Sequence, residues 1–113
     1  MTEPSANPSP GRFVVLRHEG IPDPHFDLMV ETSPTALLAT WRCPQWPPGP
    51  ATQFQRLPDH RRAYLDYEGP VSGNRGSVKR VAVGTCTIDT QTGSHFRVTL
   101  IQPAGPAVEL RLD

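Results

Sequence analysis

Apolar residues in this chain come in short runs, and the runs differ in period. Residues 12–17 hold Phe13-Val14-Val15-Leu16, an unbroken apolar run that predicts a buried strand. Residues 25–31, His25-Phe26-Asp27-Leu28-Met29-Val30-Glu31, alternate polar and apolar with Met29 out of pattern. Period two predicts a half-buried strand with His25, Asp27, Met29 and Glu31 on one face and Phe26, Leu28 and Val30 on the other. Residues 36–42 fit a helix or a strand by pattern, and their shortness between turn signals favours a strand. Further strands are expected at 52–57, 77–83, 85–89, 95–101 and 108–112, with breaks at Gly84, at Thr92-Gly93 and from Pro103 to Pro106. The proline-rich stretch 43–51 reads as an irregular loop and the glycine-rich stretch 69–76 as a turn, while Asp59 is placed to cap a single helical turn. Short strands at this spacing predict an all-β fold, a small β-barrel of about six to eight mostly antiparallel strands with at most a short helix.

Composition narrows the classes. The chain has 113 residues, 14 of them proline, which suits one modest core and disfavours long helices. Residues 1–11 contain three prolines and nothing to bury, and are expected to form a disordered tail ahead of a single domain at 12–113. Basic and acidic residues balance at 11 each, which excludes strong nucleic-acid binding by bulk charge but not through a local basic patch. No apolar run is long enough to span a membrane, and the N-terminus lacks the pattern of a secretory signal. Cys43 and Cys86 are expected to be reduced, buried thiols, and the location cytoplasmic. No internal repeat is present.

The chemistry concentrates between His18 and Glu31. On the predicted strand, His25 and Asp27 lie two residues apart on one face, with Cα atoms ~6.6 Å apart. That spacing lets an imidazole and a carboxylate converge on one cation. His18, at the end of the preceding strand, can join them across a loop that contains Gly20, Pro22 and Pro24. Two neutral imidazoles and one carboxylate suit Mn, Fe or Zn and leave coordination positions open.

Two stretches together resemble the 3′-phosphoesterase domain of bacterial ligase D, the multifunctional end-joining repair ligase, a family that includes stand-alone domains. The first is Phe13-Val14-Val15-Leu16-Arg17-His18 followed by the His25–Glu31 strand, with Trp41 and Pro44 beyond it. The second is Asp59-His60, Tyr64 and Asp66-Tyr67-Glu68-Gly69. The resemblance runs from about Arg12 to Ile101. It implies a small β-barrel carrying a manganese site held by His18, His25 and Asp27. It implies that His60 and Tyr64 serve phosphoester chemistry at the 3′ end of a nucleic acid, a primer–template for instance, with other end-joining repair proteins as partners.

The chain departs from the family pattern at several cationic positions. The family's strand arginine is Met29 here, another arginine falls on Thr52, a lysine falls on Gln45, and the acid before Asp-His is Pro58. The spacing from His18 to His25 is one residue wider. Cationic groups stabilise charge on a transferring phosphoryl group, and losing one typically costs ~10²–10³ in rate. Arg17, Arg56, Arg61, Arg62 or Arg75 can occupy the vacated space. Arg75 stands out, because a Gly-Asn-Arg-Gly turn can bring backbone N–H groups and a guanidinium to one anion. The phosphate-binding candidates are therefore Arg75, Arg17 and Arg62. His95 has no partner in sequence and is expected to be structural. Trp41 and Trp46 are expected to pack rather than to stack on bases. A metal-dependent 3′-phosphoesterase is the first expectation. A metal-binding or end-binding module that has lost turnover is the alternative. An iron-oxygenase triad of His-x-Asp and a distal His is a weaker third, for which the chain is short.

Overall fold

The computed structural model describes residues 10–113. The tail expected at 1–11 lies outside the described residues except at its end, where Gly11 already opens the first strand. The elements are β1 (Gly11–Glu19), β2 (His25–Val30), β3 (Leu38–Cys43), β4 (Gln55–His60), a 3-10 turn (Arg62–Leu65), β5 (Gly69–Pro70), β6 (Ser77–Thr92), β7 (His95–Ile101) and β8 (Val108–Leu112). They form one antiparallel sheet in the order β4-β3-β2-β1-β6-β7-β8, with β5 paired to β6. The all-β class and the strand number are as the sequence predicts.

The sheet is curled into a half-barrel, and its two ends meet through side chains. Trp41 of β3 meets Phe96 of β7 edge to face, with ring centroids 5.1 Å apart. The Trp41 indole N–H donates to the Asp113 carbonyl at 3.0 Å. Both rings are covered by the Arg56 guanidinium, 4.7 Å from the Trp41 centroid and 5.3 Å from that of Phe96. These contacts belong to the inner face, whose core includes Phe13, Val15, Leu28, Val30, Val98, Leu100 and Leu112.

A second, smaller cluster lies on the opposite face: Val14, Leu16, Met29, Leu38, Leu65 and Val78, with Tyr64 and Val71 against it. It accounts for two features of the sequence. Phe13-Val14-Val15-Leu16 is unbroken because alternate residues enter different cores. Met29 interrupts the polar positions of β2 because that face is not open to water there. The 3-10 turn covers it with Leu65, and Met29 is 1% exposed. The expectation of a half-buried β2 is corrected accordingly: Asp27 to Val30 are all buried.

Two further expectations change. Gly84 does not break a strand, because β6 runs continuously from Ser77 to Thr92. A Cβ at Gly84 would lie 2.0 Å from the Ile101 carbonyl oxygen and 2.9 Å from Phe13 Cε1, so the glycine permits close approach of neighbouring strands. Asp59 does not cap the helical turn. It lies in β4, and its carboxylate accepts from Arg56 at 2.8 Å, while the chain stays extended to Arg61 before the turn begins. The strand expected at 52–57 is shifted to Gln55–His60, where Pro58 is tolerated because β4 is an edge of the sheet.

Candidate metal centre and its cleft

β1 and β2 form an antiparallel pair in which His18 lies opposite His25 and Leu16 opposite Asp27. Directly opposed residues share a face, so His18, His25 and Asp27 come together on the face of the smaller core. The imidazole centroids of His18 and His25 are 5.2 Å apart. His25 Nε2 is 3.2 Å from Asp27 Oδ1, and His18 Nδ1 is 3.9 Å from Asp27 Oδ2. One ligand atom from each residue lies within 4.8 Å of the other two.

The hydrogen bonds around the cluster fix which nitrogen faces inward. His18 Nε2 is 2.8 Å from the Arg75 carbonyl oxygen, and His25 Nδ1 is 2.7 Å from that of Asp23. A carbonyl only accepts, so each of these nitrogens carries a proton and donates it. In the neutral imidazoles, His18 Nδ1 and His25 Nε2 are then lone pairs, and both are turned toward the Asp27 carboxylate. Asp27 is 4% exposed, and its Oδ1 has no hydrogen-bond partner among the described residues. Burial pushes the Asp27 carboxyl above its ordinary range, opposed by the nearby His25, His18, His60 and Arg42. A carboxylate facing two lone pairs, with one oxygen orphaned, receives no donor from the two imidazoles that face it. A divalent cation fits that arrangement, since metal-bound imidazoles characteristically spend their other N–H on a carbonyl or carboxylate. The residues therefore suit the manganese ion that the resemblance implies.

The cluster borders a cleft of about 480 Å³ lined by His18, Asp27, His60, Tyr64 and Arg75 among others. His60 ends β4, and its Nδ1–H donates to the Pro58 carbonyl at 2.8 Å, which leaves Nε2 as its second nitrogen. The Tyr64 ring meets the His60 ring edge to face at 5.9 Å. Met29 lies in the floor and Arg61 on the rim, its guanidinium 5.9 Å from the Tyr64 ring. Arg75 also lines the cleft. Its Nε donates to the Ser72 carbonyl at 2.7 Å and its Nη2 to Ser72 Oγ at 3.2 Å, while Asn74 and the glycines at 73 and 76 adopt positive φ to shape the turn.

Two of the three arginines expected at phosphate are elsewhere. Arg17 neighbours His18 on an extended strand and so points to the other face, where its Nε pairs with Glu19 at 3.1 Å. Arg62 is engaged beneath the 3-10 turn, donating to the carbonyls of Ala36 at 2.8 Å and Ser33 at 3.1 Å and pairing with Glu31. The Asp66–Gly69 stretch is structural. Asp66 pairs with Arg12 at 2.6 Å, Tyr67 donates to the Pro70 carbonyl, and Glu68 accepts from the Arg80 N–H at 2.8 Å. His95 pairs with Asp113 on the surface, away from the cluster.

Arg42 is the residue that sequence reasoning missed. It lies opposite Asp27 in the β2–β3 ladder and shares its face. It pairs with the exposed Asp23 carboxylate at 2.5 Å. The signal was nonlocal: only the register of β2 on β3 reveals it, and the seven-residue connection, 31–37, leaves that register open. No protein-family model matches this chain, and no curated protein matches it either.

Proposed function

We propose that this protein is a metal-dependent phosphoesterase that removes a phosphate or a ribonucleotide from the 3′ end of a nucleic-acid strand, as in DNA repair. The observation that carries the reading is the His18–His25–Asp27 cluster, with its orphaned Asp27 oxygen, of which His18 and Asp27 border the cleft that His60 and Tyr64 line. When bound there, a divalent cation such as Mn²⁺ supplies Lewis-acid polarisation of a phosphate oxygen. The chain's own residues do the rest. His60, oriented by its bond to Pro58, turns Nε2 to the substrate and handles the proton of the leaving oxygen. Tyr64 aligns the same oxygen through its hydroxyl. Arg75, held by Ser72, and Arg61 balance charge on the phosphoryl group.

A binding module without turnover is the second reading. It is favoured by Met29, an apolar floor where the related pattern has a guanidinium, and by the absence of Arg17 and Arg62 from the cleft lining. A 3′-phosphate-ended primer–template incubated with manganese separates the two. The phosphoesterase releases inorganic phosphate, and His60→Ala slows release by ~10²-fold or more while manganese binding is kept. No release from the wild type, with manganese shown to be bound, leaves the binding module.

A further inference from the structure

The three donors of the cluster do not line one cleft. His18 and Asp27 border the cleft of His60 and Tyr64, whereas His25 borders a second cleft of about 530 Å³. The second cleft is bounded by the Asp23-Pro24 loop, by Arg42 and Cys43 of β3, and by residues 53–55 at the start of β4. The cluster thus stands at a divide between two open spaces. A substrate that reacts on one side has somewhere to extend on the other.

Arg42 is the cation of the second cleft. Its Cα partner across the ladder is Asp27, so the guanidinium starts from the same face, one strand (~4.8 Å) away. Its acidic partner, Asp23, is 77% exposed at the side chain, while the Arg42 side chain is 28% exposed. An ion pair with so exposed a carboxylate is worth little in water, which leaves the guanidinium available to a better anion. The same Asp23 holds His25 through its backbone carbonyl, so the loop that orients a cluster imidazole also parks the arginine. Gln53 and Gln55 add polar side chains, and Gln55 pairs with Arg42 across β3–β4.

We propose that Arg42 binds a phosphodiester of the nucleic-acid strand, upstream of the reacting 3′ end, so that the strand crosses the cation cluster from one cleft to the other. This rests on the phosphoesterase reading and extends it, because it makes a strand rather than a mononucleotide the preferred ligand. Bidentate contact to phosphate oxygens is the geometry for which a guanidinium is suited. Asp23 is the placeholder that the phosphate displaces.

Two probes of the intact protein with Mn²⁺ test this: a fluorescein-labelled thymidine hexanucleotide ending in a 3′-phosphate, followed by anisotropy, and thymidine 3′-monophosphate, followed by calorimetry. Arg42→Ala should weaken hexanucleotide binding about tenfold, the size of one hydrogen bond to a charged group, and leave the mononucleotide within twofold. It should also flatten the dependence of log K on log salt by about 0.7, one phosphate contact on a single strand. Asp23→Asn should keep or strengthen hexanucleotide binding, and Arg42→Ala should still bind manganese, so the two probes are compared on metal-loaded protein. Equal weakening of both probes, or an unchanged hexanucleotide, overturns the proposal while the phosphoesterase reading stands. If the wild type binds manganese but neither probe, the phosphoesterase reading fails first and takes this proposal with it.

Discussion

Asp27→Asn should make the metal-free protein more stable and the manganese-loaded protein relatively less so. Asp27 is 4% exposed, its Oδ1 is unpartnered among the described residues, and His25 Nε2 faces that oxygen at 3.2 Å. Because His18 Nε2 and His25 Nδ1 donate to carbonyls, the neutral imidazoles turn lone pairs toward the buried carboxylate. Leaving such a group unsatisfied costs roughly 1–3 kcal/mol. Asparagine has nearly the same shape, carries no charge, and its amide N–H can donate to His25 Nε2, a bond worth ~1 kcal/mol. A net gain of about 1–2 kcal/mol raises Tm by roughly 5–10 °C for a domain near this size. Manganese at a hundredfold excess over Kd adds ~2.7 kcal/mol to the wild type. The variant, without the carboxylate, gains little. Thermal unfolding followed by circular dichroism, once in EDTA and once in manganese chloride, should therefore show the order of the two proteins inverting. A variant that melts below the wild type in both buffers, by the same margin, would refute the reasoning. Asp27 would then be an ordinary member of a structural hydrogen-bond network.

Gly84→Ala should destabilise the fold by about 3 kcal/mol in urea titrations, since the added Cβ meets the Ile101 carbonyl oxygen at 2.0 Å and overpacking of this kind has few ways to relax. A loss under ~0.5 kcal/mol would mean that β6 does break there. Burial pushes the Cys43 and Cys86 thiols from 9.0 up to about 11. Between those values the unfolded thiols ionise and the folded ones do not, so the unfolded state binds fewer protons and stability falls as pH rises, by up to ~3 kcal/mol per thiol. Urea midpoints at pH 8.5 and 10.5 should drop less in the Cys43→Ala/Cys86→Ala protein than in the wild type, and an equal drop would remove the thiols as the cause.

What the sequence disclosed was local. Period two in residues 25–31 placed His25 and Asp27 on one face, and the ligand chemistry of imidazole and carboxylate needed no tertiary knowledge. Short apolar runs between proline and glycine marked most strands to within a few residues. What it concealed depended on pairing. Gly84 looked like a break because a glycine that lets two strands approach is indistinguishable, in sequence, from one that ends a strand. Arg62 looked free because its partners Glu31, Ser33 and Ala36 are some thirty residues away. Arg17 is the exception: strand alternation against His18 already set it on the other face. The covering of β2 by Leu65 explains Met29 only once the 3-10 turn is seen to cross that face.

The central claim is that His18, His25 and Asp27 hold one divalent cation, and electron spin-echo modulation of added Mn²⁺ tests it most directly. Protein carrying ¹⁵N-labelled histidine should show two directly bound imidazole nitrogens on a single manganese ion. His18→Ala and His25→Ala should each remove one of them, and His95→Ala should remove neither. Manganese without histidine nitrogen coupling, or coupling that survives both substitutions, would contradict the site.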